Sequence, residues 1–315
     1  MPVSIEIFSR VSTLFPSDHL LAIVLGVVFI ALIFASISDL LTREVADWLN
    51  YGLLSFAIFV RMVYSIMDWS YIPLLDGLIG FLFAFLIASG MFYLGQWGGG
   101  DSKLLISLGT LFGLSSQGVF SDGISSILFN NVLPIFILNI FLCGALYGLV
   151  WSIYLAVRNR KVFKKTYDKY TSQPTFKTIR VCMLIVILIT IPVSFFMDLI
   201  FRLLFLACAL LLLLSIYLIL FVRTLEQSCM IKLIPITKLT EGDWIFEDVR
   251  VKGKLIAGPK DLGISKEQIE LLLEYNQQGI IHKIKVKEGI PFVPSFLFGF
   301  ILSLLIGNWL NLLFF

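Results

Sequence analysis

The chain has 315 residues, 58% of them hydrophobic and only 14% charged, with a net charge of +3. A soluble domain of this size must cover its exterior with polar groups, so this composition excludes one and points to a polytopic membrane protein. In chain order, apolar runs predict spans at 19–39, 48–67, 77–96, 103–120, 132–157, 181–197, 199–221 and 291–313, each near the length that crosses a hydrocarbon core. The run from 123 must hold a loop as well as a helix. The sixth and seventh spans are joined only by Pro192 to Asp198 and read as a tight helical hairpin. The N-terminus lacks the basic stretch and small-residue cleavage site of a secretory signal, so the first apolar segment is expected to be retained.

Lysine and arginine placement sets the expected orientation. With the N-terminus outside, the inner loops are 40–47, 97–102, 158–180 and 222–290. They and their flanks then hold every basic residue except Arg10, Arg61 and Arg202. The outer loops 68–76 and 121–131 contain none. The segment RNRKVFKKTYDKY (158–170) is expected to be a very basic cytoplasmic loop that fixes topology and touches anionic membrane lipid.

Four parts are expected. Residues 1–122 carry the first spans, 123–222 add further spans with the basic loop, 223–290 form a cytoplasmic α+β module, and 291–315 form the final helix. Within the module, SKEQIELLLEYNQQG (265–279) has a capping-box start at Ser265 and Gln268 and a glycine stop at Gly279. DWIFEDVRV and IIHKIKVKEG alternate as short strands do.

Four scattered cysteines (Cys143, Cys182, Cys208, Cys229) form no CxxC pair and read as small buried hydrophobes. The two histidines lie far apart, and neither a metal nor another cofactor is expected. Carboxylates near membrane depth are functional suspects. Asp76 and Asp198 fit outer-boundary positions. Asp39, in FASISDLLTREVADWLN, and Asp101, in GQWGGGDSK, end different spans on the same expected face, so they can converge. Two close carboxylates cannot readily both ionise, and a pair that shares a proton suits an aspartic peptidase. Glycines 98–100 would then allow close approach of a substrate or a neighbouring helix, and dihedrals closed to other residues. The residues alone leave simpler roles open: Asp101 as the cap of a helix starting near Ser102, Asp39 as an interfacial charge. GGGDSK lacks the Gly-Lys-Ser/Thr of a phosphate-binding loop.

GGGDSKLL (98–105) resembles the GxGD signature of the type IV prepilin peptidase family. SISDLLTREVADWLN (36–50) resembles its first catalytic region in the archaeal, preflagellin-peptidase form, and IPFVPSFLFGF (290–300) resembles the final span of archaeal members. The resemblance implies Asp39 and Asp101 as the catalytic pair, Gly98 and Gly100 as the glycines of GxGD with Gly99 between them, and Arg43, Asp47 and Asn50 as first-region residues. Lys103 follows the signature in the same active-site segment. Ala46 stands where a proline is common, and the CxxC insert of bacterial members is absent. The implied activity is cleavage of prepilin or preflagellin (archaellin) signal peptides at the cytoplasmic face. Such precursors carry basic residues ahead of the cut, which Glu44 and Asp47 are expected to attract. The implied partners are these precursors and membrane lipids, with no nucleic acid; oligomeric state stays open. A presenilin-like intramembrane protease fits less well, because Ser38 precedes Asp39 and no Pro-Ala-Leu is present. An ion-coupled transporter would place its carboxylates near mid-membrane rather than at span ends.

Overall fold

The computed structural model describes residues 18–115, 131–261 and 263–306. Ten α-helices and five strands are present among them: α1 Asp18–Thr42, α2 Asp47–Met67, α3 Ile72–Tyr93, α4 Gly99–Phe112, α5 Val132–Arg158, α6 Arg160–Ser172, α7 Pro174–Ser194, α8 Leu199–Leu225, β1 Ile231–Pro235, β2 Trp244–Ile245, β3 Val249–Val251, β4 Lys254–Ala257, α9 Lys266–Gln277, β5 Lys283–Lys287 and α10 Pro294–Leu305. Among the described residues six helices are long and apolar enough to cross a bilayer: α1, α2, α3, α5, α7, and α8 with the π-turn that follows it. Of the other two expected spans, 103–120 is helical only as far as Phe112, because Gly113 at φ 65° ends α4, and 291–313 is helical over Pro294–Leu305; residues 116–120 and 307–313 lie outside the described residues. So do residues 1–17 and nearly all of the expected outer loop 121–131.

The chain divides into two compact units, one built from residues up to Leu149 together with the segment from Gly289 onward, the other from Val150–Glu288. In the first unit α4 is the centre. Leu104, Leu105, Leu108, Leu111 and Phe112 are all buried, packed among α2, α3 and the aromatic residues Phe136 and Phe300. The α3–α4 contact is very close: a Cβ on Gly109 would lie 2.8 Å from the Gly80 carbonyl oxygen, and Ala84 and Ala88 continue the same small-residue face. Membrane helices associate through such stripes because lipid supplies little hydrophobic drive between them.

Among the described residues of this unit, one cation is buried. Arg61 of α2, 5% exposed, donates from Nε to the carbonyls of Thr110 (3.2 Å) and Leu111 (3.1 Å) and from Nη2 to Leu111 (2.7 Å). Nη1 reaches Pro73 O at 3.4 Å, and Asp76 is its electrostatic partner. The last carbonyls of a helix have no intrahelical donor, so the guanidinium serves as the cap of α4.

In the second unit α7 and α8 form the expected hairpin, turning through residues 195–198. The expected basic loop 158–180 is instead helical, as α6 and the start of α7. No glycine or proline interrupts 158–173, and Pro174 occupies the first turn of α7, a position where its missing N–H costs nothing. Cys182 on α7 and Cys208 on α8 are exposed rather than buried. The module holds a three-stranded antiparallel sheet in the order β1–β5–β2, a β3–β4 hairpin with an irregular register at Val249/Arg250, and α9 over a core that includes Ile245, Val249, Leu272, Ile284 and Val286. The box at the start of α9 is formed: Ser265 N–H donates to Gln268 Oε1 at 2.8 Å, and Gln268 N–H donates to Ser265 Oγ at 3.3 Å. Gly279, at φ 74, follows its end.

Candidate active site

Asp39 lies in the last turn of α1. The helix stops at Arg43, whose φ of 63° is left-handed and whose N–H donates to Asp39 O at 3.0 Å. A non-glycine residue is held there by its surroundings: Arg43 Nη1 donates to Gly289 O at 3.3 Å. Thr42 and Ser38 hydroxyls bond Glu44 O, so a short, tied turn leads into α2. The Asp39 carboxylate is 5% exposed and accepts the Val293 N–H on Oδ2 at 2.9 Å. That donor belongs to the segment entering α10, whose N-terminal dipole favours an anion.

Asp101 is the third residue of α4. It is not the N-cap of a helix starting near Ser102; the helix begins at Gly99, with Gly98 as cap, and Asp101 Oδ2 reaches back to accept the Gly98 N–H at 3.2 Å. The glycines before it adopt ordinary conformations, φ −73° at Gly98 and helical at Gly99 and Gly100, so the expectation of dihedrals closed to other residues is not met there. The left-handed residue in this loop is Gly95, at φ 68°. Close approach does hold at Gly100, where a Cβ would lie 3.1 Å from Val45 Cβ and 3.2 Å from Val45 N. The turn after Asp39 is thereby pressed against the turn that carries Asp101.

The two carboxylates, one at the end of α1 and one at the start of α4, are near enough for the charge of Asp39 to act on Asp101. Asp101 lies ahead of the apolar stretch of α4 and outside the six spans. Burial, and then the charge of Asp39, push its carboxyl up to about 7. One member of the pair can therefore hold a proton near neutral pH, as acid–base chemistry on a peptide bond requires.

Asn50 joins the two sides. It is 1% exposed, donates from Nδ2 to Gly100 O at 3.3 Å, and its backbone O accepts the Ser107 hydroxyl at 3.0 Å. Its Oδ1, like Ser36 Oγ one turn before Asp39, is buried with no hydrogen-bond partner. Lys103 does not enter the site but pairs with Asp47, Nζ to Oδ1 at 2.5 Å, and lies 5.4 Å over the Tyr51 ring. With Asp47 engaged, only Glu44 of the two expected attractors carries an exposed carboxylate without an ion pair among the described bridges.

Two further elements belong to the site beyond the residues expected from the sequence. Val293 acts through a backbone N–H. Trp97, directly before Gly98, is buried and packs on Phe141, Phe292 and Phe296 with ring centroids 5.4–5.8 Å apart. A tryptophan beside a Gly-rich loop was the available hint; its partners lie far along the chain.

A profile of the type IV leader peptidase family matches residues 21–149, which include the Asp39 turn, the α4 start and the first part of α5. Over this stretch the chain is similar to the type IV leader peptidase family. Among its curated relatives are the preflagellin peptidases of Methanococcus voltae (28% identical over 130 residues, 41% of this chain and 55% of the relative) and Methanococcus maripaludis strain C6 (29%, 41% and 56%). That of Methanocaldococcus jannaschii is 28% identical over the same length. The chain thus spans about half the length of the curated relatives it matches. The leader-peptidase stretch covers most of the first unit. The module and α6–α8 lie outside it.

Proposed function

We propose that the protein is a membrane aspartic endopeptidase that cuts the signal peptides of prepilin or preflagellin precursors, with Asp39 and Asp101 activating the attacking water. The observation that carries this reading is the convergence of two carboxylates from the ends of α1 and α4 inside the family-matched stretch. Asp101 retains its proton up to neutral pH and serves as the acid: it donates to the carbonyl oxygen as the tetrahedral species forms. Asp39, held by the Val293 N–H, takes a proton from water as the oxygen attacks. The amine then leaves with a proton returned from the pair. The relatives named preflagellin peptidase support this substrate class. Cleavage at the cytoplasmic face is supported by the basic residues of the expected inner loops.

The test incubates purified protein in detergent with a precursor pilin. Asp39→Asn and Asp101→Asn should each lower cleavage by at least about a thousandfold. Survival of cleavage in either variant sinks the mechanism. The wild type should lose activity as pH rises through about 7, because Asp101 then gives up the proton that makes it an acid. A rate that stays level to strongly alkaline pH removes the assignment of Asp101 as the acid.

A further inference from the structure

Helix α6 sorts its residues into two faces. At 100° per residue, Arg160, Lys161, Lys164, Lys165 and Lys169 fall within an arc of about 180°, and Phe163, Tyr167 and Tyr170 within about 60° on the other side. The basic residues are exposed and the three aromatics half-buried. Phe163 packs on Phe221 near the end of α8 at 5.5 Å between centroids and stacks on Tyr167 at 6.2 Å. One helix further, Phe176 at the start of α7 meets Tyr217 of α8 at 6.3 Å. All of this lies within the second unit, at the end of the α7–α8 hairpin where α7 starts and α8 finishes.

Holding orientation requires only that positive charge be present on the inner side, in any conformation. The segment does more than that. It is folded, its aromatic face is anchored to a span, and its cations are all turned away from that span. Aromatic side chains at span ends sit at headgroup level, and lysines just beyond them meet the phosphate layer. Asp168 is the one acidic residue of the helix and falls within the basic arc. We propose that α6 is an interfacial helix that binds anionic lipid headgroups through Arg160, Lys161, Lys164, Lys165 and Lys169. The ligand class is a lipid phosphate bearing net negative charge, held by ammonium and guanidinium groups and not by a closed pocket.

The full chain, purified in neutral detergent, is mixed with equal amounts of phosphatidylglycerol and phosphatidylcholine, and retained lipid is read by native mass spectrometry. The wild type should keep phosphatidylglycerol preferentially. The variant K161Q/K164Q/K165Q/K169Q should lose that preference by at least about tenfold. The same four positions changed to arginine should keep it, and Asp168→Lys should increase it. A control, K254Q/K283Q in the module, should leave it unchanged. Equal retention by the glutamine variant and wild type overturns the proposal, as does the absence of any preference in the wild type. Binding of an acidic peptide as tight as that of the anionic lipid would assign the face to a protein instead.

Discussion

Arg61 and Arg202 are both cations that the orientation rule leaves off the cytoplasmic face, and both end up capping helix carbonyls. They do so at very different range. Arg61 bonds the carbonyls of Thr110 and Leu111, 49 and 50 residues away, and thereby ties α2 to the end of α4. Arg202, half-buried, donates to Ser194, Phe195 and Met197, five to eight residues before it. The contrast extends through the two units. In the first, Val293 N–H reaches Asp39 across 254 positions, Asn139 Nδ2 reaches Ser303 Oγ across 164, and Asn50 reaches Gly100 across 50. Among the spans of the second, Thr190, Ser194, Ser215 and Thr224 return their hydroxyls to carbonyls three or four residues back. Polar groups that bond locally leave each helix self-sufficient. Polar groups that bond across the fold fix helices against one another, which a two-carboxylate site needs.

The two arginines should differ most when each is removed in turn. Arg61→Met leaves the last carbonyls of α4 without their buried donor and Asp76 without its electrostatic partner, and should destabilise the protein by about 2–4 kcal/mol. Arg202→Met gives up a local cap that water or a neighbouring donor can replace, and should cost less than about 1 kcal/mol. Thermal unfolding of both variants in the same detergent measures the difference. Equal shifts would mean that the long-range cap is no stronger a constraint than the local one.

A smaller effect separates assembly from chemistry within the first unit. Asn50→Ala removes the donor to Gly100 O, one residue before Asp101, along with one orphaned acceptor. The protein should stay folded while kcat on a precursor falls by about tenfold, the worth of one hydrogen bond of ~1.4 kcal/mol in the transition state, with KM little changed. A raised KM at constant kcat would instead place Asn50 in substrate binding.

Much of this was legible in the sequence, for identifiable reasons. Asp39 and Asp101 stood out because a carboxylate at the end of an apolar run is costly, and the placement of basic residues put both on one expected face. Ser265 and Gln268 marked the start of α9 because a capping box is local chemistry. What stayed hidden depended on contacts rather than residue types. Val293 contributes only its main chain, so nothing in its side chain advertises Asp39. The segment 158–180 reads as a loop by its charge alone, while the aromatics at 163, 167 and 170 carry the helical spacing that α6 uses. Lys103 and Asp47 look like two separate site residues until the fold places them in one ion pair.

The smallest predicted effect concerns Ala46, where proline is common in the family that residues 36–50 resemble. Its φ of −59° and ψ of 132° are those a proline ring imposes without strain, and it directly precedes the first residue of α2. Its carbonyl accepts the N–H groups of Leu49 at 3.0 Å and Asn50 at 3.4 Å, and a proline would keep both bonds. The Asp39 turn is therefore already shaped as a proline would shape it, held by the Ser38 and Thr42 hydroxyls on Glu44 O and by Val45 against Gly100. Ala46→Pro should leave cleavage unchanged and raise stability by about 0.4–1 kcal/mol, by restricting the unfolded chain. A loss of stability would show that Val45, which a following proline confines to extended backbone, needs a freedom that the packed turn does not display.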